Sequence, residues 1–353
     1  MPKYGIIEPT DVMEAHYIDE QALAAYLHDH IDGFGPNLIV RQFPIGQSNP
    51  TYQLISGGQK YVLRKKPPGK LLPSAHAVDR EFNVISALKN SGVPVPPVIH
   101  FCQNPDVIGT EFFIMDMVEG RVFHDPGLPG MSKEERSIYF DDYIRILAQL
   151  HSIDIHAVGL ENFGRADNYL ERQVARWSGQ YEASKTEHIP AMEKVIDWLP
   201  NNLPKDDSVS IVHGDYRPGN TITNLAEPKI AAVLDWELST LGHPLADLGY
   251  CCAAYYGKIS SVGDFSLLDH KALGIPTEEE FIEKYCKYAK RAQIDDVHYY
   301  IIFSLFRSAA IIQGVYKRGL DGNASSEQAL MFGEMAKARA NSAWLLVKKT
   351  INA

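Results

Sequence analysis

The sequence predicts an α+β chain in two parts, a mostly antiparallel part to about Val118 and a mainly helical remainder. Three observations predict it. Strand, turn and strand alternate from Leu38 to Lys65, where Gly57-Gly58 is a hairpin signal. From Ser132 onward, apolar residues recur at helical spacing over long stretches. Between Val209 and Gly249, two short apolar runs each end in a turn that carries a carboxylate. The first turn reads His213-Gly214-Asp215-Tyr216-Arg217-Pro218-Gly219-Asn220 and the second Asp235-Trp236-Glu237. Such turns aim oxygen ligands at a point while the apolar runs hold them in place. Hard cations that carry phosphates want ligands of this kind.

Composition narrows the function. The chain has 353 residues, 45% of them hydrophobic and 22% charged, enough for a sizeable core. A formal net charge of -10 argues against a nucleic-acid backbone as partner. Cys102, Cys251, Cys252 and Cys286 have no Cys-x-x-Cys spacing and read as reduced, buried thiols. The first residues have no apolar core of a signal peptide, and no apolar run is long enough to span a bilayer. The expectation is a cytoplasmic protein with no membrane partner.

In chain order, Ile18 to Ile31 is expected as an amphipathic helix. Strands follow at Leu38 to Ile45, Thr51 to Ile55 and Gln59 to Lys65. Gly46-Gln47-Ser48-Asn49 between the first two is either an ordinary turn or a loop whose amides cradle phosphate. Arg64 lies on the third strand, and Lys65 points to the opposite face. The guanidinium of Arg64 suits phosphate oxygens; an exposed edge arginine is the plain alternative. Glu81 lies in a helix expected from Ala75 to Asn90, as a partner of Arg64 or as a surface residue. Val98 to Phe101 and Glu111 to Met117 complete a five-stranded antiparallel sheet.

Ser132 to His151 is a helix with a capping box, Ser132 and Glu135. Further helices are expected at Asn168 to Lys185, Pro190 to Leu199, Thr277 to Arg291, Asp295 to Arg318 and Asn323 to Lys349. From Thr277 to Ala353 there are 9 acids against 11 bases, so the overall acidity does not extend to this region. Arg307 interrupts an apolar helix and needs an anionic partner, either a core carboxylate or a substrate group.

His213-Gly214-Asp215 with Asn220, then Asp235-Trp236-Glu237, then Gly242-x-Pro244-x-x-Asp247-Leu248, resembles the signature of aminoglycoside phosphotransferases and choline kinases. Within that group it is similar to the kinase-like domains found alone or fused to acyl-CoA dehydrogenases. The resemblance implies a bilobal protein-kinase-like fold, with a nucleotide-binding lobe at 1–118 and a catalytic, substrate-binding helical lobe at 119–353. It implies ATP and Mg2+ as cofactors, with Asp215 taking or orienting the proton of an acceptor hydroxyl. Asn220 and Asp235 would hold the metal. Gly46, Ser48, Asn49, Arg64 and Glu81 would serve the phosphates. Adenine would lie against Met115 and bond the backbone of Asp116 and Val118. Asp247 would brace the Asp215 loop, with His213 packed beneath it. The implied acceptor is a hydroxyl of a small molecule; the likeness to the dehydrogenase-fused domains points to a hydroxyacyl or hydroxyacyl-CoA compound, and the charge balance of the last third argues against a polycationic aminoglycoside, with a true aminoglycoside phosphotransferase as an alternative. The rival from another class is a nucleotide-binding pseudokinase scaffold. A protein kinase fits less well, because no long segment separates Asp235 from Gly242.

Overall fold

The computed structural model describes residues 5–35, 37–44, 49–67, 77–257, 264–322 and 327–352. Its strands are β1 (Leu38–Gln42), β2 (Thr51–Ser56), β3 (Gln59–Lys65), β4 (Val98–Cys102), β5 (Phe112–Asp116), β6 (Ser210–Val212), β7 (Thr221–Thr223), β8 (Ile230–Val233) and β9 (Thr240–Gly242). Its helices are α1 (Glu20–His30), α2 (Val78–Leu88), α3 (Lys133–His151), α4 (Tyr169–Ser184), α5 (Pro190–Asn201), α6 (Pro244–Cys252), α7 (His270–Leu273), α8 (Glu278–Ala289), α9 (Val297–Leu320) and α10 (Phe332–Ile351).

The chain divides into two compact units. The first comprises Met1–His124, His156–Phe163 and Asn220–Ser239; the second holds Asp125–Ile155, Gly164–Gly219 and Thr240–Ala353.

In the first unit the five-stranded sheet has the order β1-β2-β3-β5-β4, antiparallel throughout. Strand alternation gives the sheet two different faces. Tyr52, Leu54, Leu63, Phe112 and Ile114 bury themselves with Leu23 and Leu27 of α1. Asp19 caps α1 by accepting from the Gln21 and Ala22 amides. Val62, Arg64, Phe113 and Met115 alternate with that set, and α2 packs on β4 and β5. Val84, Ile85 and Leu88 of α2 are fully buried. The short hairpin β7–β8 completes this unit and is tied back by the Val233 amide to the Pro94 carbonyl, 2.8 Å.

The second unit is mainly helical. Its longest helix, α9, carries an almost unbroken apolar run from Tyr299 to Phe306 and is buried along it, flanked by α10, α6 and α4. A helix apolar all round belongs inside. The expected capping box forms at Ser132–Glu135 on α3, and a second forms at Thr277–Glu280 on α8. Three features of the helical unit go beyond the sequence expectations. The last helix begins at Phe332 after a 3-10 turn, Glu327–Met331, with 323–326 outside the described residues. The helix after Pro244 gives way to a 3-10 turn at Ala253 and stops at Gly257, whose φ of 123° no other residue adopts easily. The three-residue strand β9, pairing with β6, is too short to leave an alternation signal.

Candidate active site

The first cluster belongs to the first unit and starts from the sheet. Arg64 on β3 faces α2, as alternation dictates, while Lys65 faces the other way and lies 5.8 Å over the Tyr52 ring. The Arg64 Nε approaches Glu81 Oε2 at 3.1 Å, and its Nη2 donates to Asp235 Oδ1 at 3.2 Å. The surface alternatives for both residues are thereby overturned, since Glu81 is 1% and Arg64 9% exposed. Burial weakens the Arg64 charge, but Glu81, Asp235 and Glu237 outweigh it and hold its pKa above the ordinary value. Glu81 is pushed up to about 7 by burial; Arg64 opposes the shift, and Asp235 and Glu237 add to it. In an isolated ion pair both partners would favour charge. Here one guanidinium is shared among three carboxylates, and the most deeply buried of them bears the cost.

The hairpin β7–β8 supplies the rest. Register sets Thr221 opposite Val233, so Asn220 precedes one strand and Asp235 follows the other at the same end. The Leu234 amide closes that end on the Asn220 carbonyl at 2.8 Å. Asp235 has a φ of 65°, uncommon outside glycine and asparagine, which aims its carboxylate away from the strand. Its side chain keeps 32% exposure, leaving an oxygen for a cation after Arg64 has taken Oδ1. Among the described residues no group of three or more His, Cys, Asp and Glu forms a metal cage. The carboxylate and carboxamide at the hairpin end fit Mg2+, which takes few protein oxygens and fills its octahedron with phosphate and water.

Other expected residues lie in the same unit. Asn49 is buried, and its Nδ2 donates to Glu237 at 3.3 Å. Gly46 and Ser48 lie outside the described residues. Met115 is buried at the end of β5, opposite Val62. The Asp116 amide is already committed to the Pro97 carbonyl at 2.8 Å. An adenine can therefore use Asp116 only through its carbonyl, and must take its donor from further along, where Val118 stands.

The second cluster belongs to the second unit and surrounds Asp215. His213, fully buried, accepts from the Asp215 amide at 3.2 Å through Nδ1. Asp247, in the first turn of α6, accepts from the amides of His213 at 2.6 Å and Gly214 at 2.9 Å. Burial raises the Asp247 pKa, but His151, His213 and these amides overcome it and keep the carboxylate ionised. Tyr216 and Tyr143 clasp each other, each hydroxyl donating to the other's carbonyl at 2.9 Å. The residues on both sides of Asp215 are thus fixed from α3 and α6. Arg217 Nε donates to Asp215 Oδ2 at 3.1 Å. No ion pair joins Arg307 to a carboxylate among the described residues, so the core-carboxylate alternative is not seen there. Its Nη2 donates to the Gly214 carbonyl at 2.9 Å, and its guanidinium lies 5.6 Å from the Trp177 ring and 5.9 Å from the Tyr250 ring.

Glu237, which follows Asp235 by two positions in the motif, is the third carboxylate near Arg64. One participant went unread in the sequence. Tyr250 donates its hydroxyl to Asp215 Oδ1. The signal for Tyr250 was available, since it follows Asp247 by three positions and so shares its helix face.

Comparison with known proteins places this geometry. Residues 39–279 match the phosphotransferase enzyme family. Mouse acyl-CoA dehydrogenase family member 10 is 43% identical over 344 residues, covering 96% of this chain and 32% of that protein. Chicken acyl-CoA dehydrogenase family member 11 is 44% identical over 354 residues, covering 97% and 45%. The chain thus spans less than half the length of these relatives. A solved Ralstonia eutropha chain, provisionally assigned as an aminoglycoside phosphotransferase, superposes with a TM-score of 0.86 at 44% identity, covering 94% of this chain and 99% of that one. Choline kinase from Cryptosporidium parvum, 14% identical with a TM-score of 0.65 over 95% and 97%, shares the kinase-like fold.

Proposed function

The chain belongs to the phosphotransferase enzyme family, a group of small-molecule phosphotransferases, and from that premise we propose that it transfers the γ-phosphoryl group of Mg-ATP to a hydroxyl of an anionic small molecule. One observation carries this reading. Arg64 is held between Glu81 and Asp235, the pairing through which a kinase presents a cation and a metal-bearing carboxylate to nucleotide phosphates. Asp235 and Asn220 would hold Mg2+, which would supply charge neutralisation at the phosphates. Arg64 and Asn49, with Gly46 and Ser48 of the preceding loop, would serve the phosphate oxygens, with Glu81 fixing Arg64. Met115 and the backbone of Asp116 and Val118 would receive the adenine. Asp215 orients the acceptor hydroxyl and takes its proton.

Charge narrows the acceptor. Arg217 and Arg307 stand at Asp215 and at the carbonyl before it, so the second unit offers cations beside the reacting hydroxyl. That arrangement repels a polycation and suits an acid. Relatives that carry this region within acyl-CoA dehydrogenase family members suggest a hydroxyacyl or hydroxyacyl-CoA acceptor. The test is acceptor-dependent ADP release from Mg-ATP, over a panel of hydroxy acids, hydroxyacyl-CoA thioesters, neutral diols and kanamycin. The reading expects stimulation by one of the anionic classes. Stimulation by kanamycin alone would contradict it.

A further inference from the structure

Both oxygens of the Asp215 carboxylate are engaged, and by groups of unlike character. Oδ1 accepts the hydroxyl of Tyr250, which sits 9% exposed on α6, the helix whose Asp247 fixes the loop backbone. Oδ2 accepts from Arg217, a part-exposed side chain of the loop itself. The Tyr250 ring is covered in turn by Arg307, 5.9 Å away, whose guanidinium holds the Gly214 carbonyl. One side of the carboxylate is therefore anchored to the helical core, and the other to a flexible side chain.

We infer that Tyr250 is the positioning residue of Asp215, fixing Oδ1 so that Oδ2 is the oxygen that meets the acceptor, and that the acceptor hydroxyl takes the place of Arg217. This rests on the phosphotransfer reading of the site. In the step itself, the acceptor oxygen bonds to the γ-phosphorus as the bond from that phosphorus to the ADP oxygen breaks. The hydroxyl proton passes to Asp215 Oδ2 and then to solvent, and ADP leaves with its electron pair. Arg217, released from the carboxylate, remains within reach of the transferring group and can neutralise its charge. The alternative, with Tyr250 as the exchanged partner, would require a buried aromatic ring on a packed helix to move. Moving the Arg217 side chain costs one part-exposed ion pair and returns rotamer freedom, without disturbing helix packing.

The experiment uses the full chain with Mg-ATP, water standing in for the acceptor, and follows ADP release against pH. Among the described residues, the charged and titratable groups around Asp215 include Arg217, Tyr250, Arg307 on the neighbouring carbonyl, His213 beneath its amide, and the Cys251 thiol next to Tyr250 on α6. Tyr250→Phe deletes only the hydroxyl. It should lower kcat by about tenfold, leave the KM for ATP within about twofold, and move the acid limb of the rate profile to higher pH, because a donor to the carboxylate is lost. Tyr250→3-fluorotyrosine, a stronger donor of nearly the same size, should move that limb to lower pH, so loss of folding in the first variant does not decide the question. Unchanged limbs in both variants, or a fall in kcat with no movement of the limb, would overturn the assignment. Asp215→Asn separates the two levels of the argument. If it releases ADP as fast as the unsubstituted chain, the phosphotransfer reading fails and this one with it. If only the Tyr250 variants are silent, the assignment to Tyr250 fails alone.

Discussion

Arg64 is the residue on which the first cluster turns, because it is the one cation drawn between Glu81 and Asp235. Removing it leaves Glu81 as a buried carboxylate beside two others. Arg64→Ala should therefore destabilise the fold by about 3–5 kcal/mol, the cost typical of breaking a buried pair from one side. Arg64→Met with Glu81→Met should recover most of that loss, since the pair is then replaced by apolar volume. Urea unfolding of the single and double variants checks both statements, and a double variant as weak as the single would contradict the electrostatic account. His243 gives a pH dependence with a definite sign. Burial lowers its pKa from 6.5 to about 4, against the opposing pull of Asp206, so the folded chain holds it neutral. A depressed folded value means that its contribution is complete above pH 6.5 and is lost as pH falls through about 4. The urea midpoint should decline across that window, and less steeply in His243→Asn, which can still accept from the Leu245 amide at the start of α6.

At the scale of elements, what positions Asp215 is the packing of α6, which carries both Asp247 and Tyr250, against α9, which carries Arg307. Gly249 of α6 lies directly against Tyr300 of α9. A Cβ there would stand 2.4 Å from the Tyr300 backbone, so Gly249→Ala must push α6 away from α9. We expect a loss of about 1–3 kcal/mol in thermal unfolding, together with a fall in turnover larger than the fraction unfolded explains. A variant with normal stability and turnover would show that the helix pair does not set the loop.

Elements also mark the limit of what the sequence made legible. The sheet could be read because Gly57-Gly58 fixes a hairpin and the flanking residues alternate. α3 and α8 could be read because their capping boxes are local. The clasp of Tyr143 and Tyr216 joins residues 73 positions apart, and β9 is three residues long. Neither leaves a periodic trace. For Arg307 the sequence left a core carboxylate and a substrate anion open, and the carbonyl and two aromatic rings that hold it in the structure come from distant positions that no local pattern marks.

For the whole molecule, the account makes one central claim, that this chain is a Mg-ATP phosphotransferase whose acceptor proton goes to Asp215. The family sets its general chemistry; in the reading proposed here the cluster around Arg64 serves the nucleotide and the cluster around Asp215 serves the acceptor. Asp235 belongs to the nucleotide side, so Asp235→Asn should weaken the Mg2+ dependence of ATP binding measured by calorimetry while leaving metal-free binding nearly as it was. The most direct measurement compares the unsubstituted chain with Asp215→Ala in two assays on the same preparation, Mg-ATP binding by calorimetry and ADP release with the acceptor that the panel identifies. The account predicts ATP affinity within about threefold and turnover reduced by a factor of at least about a hundred. Full turnover in Asp215→Ala, with binding intact, would contradict it.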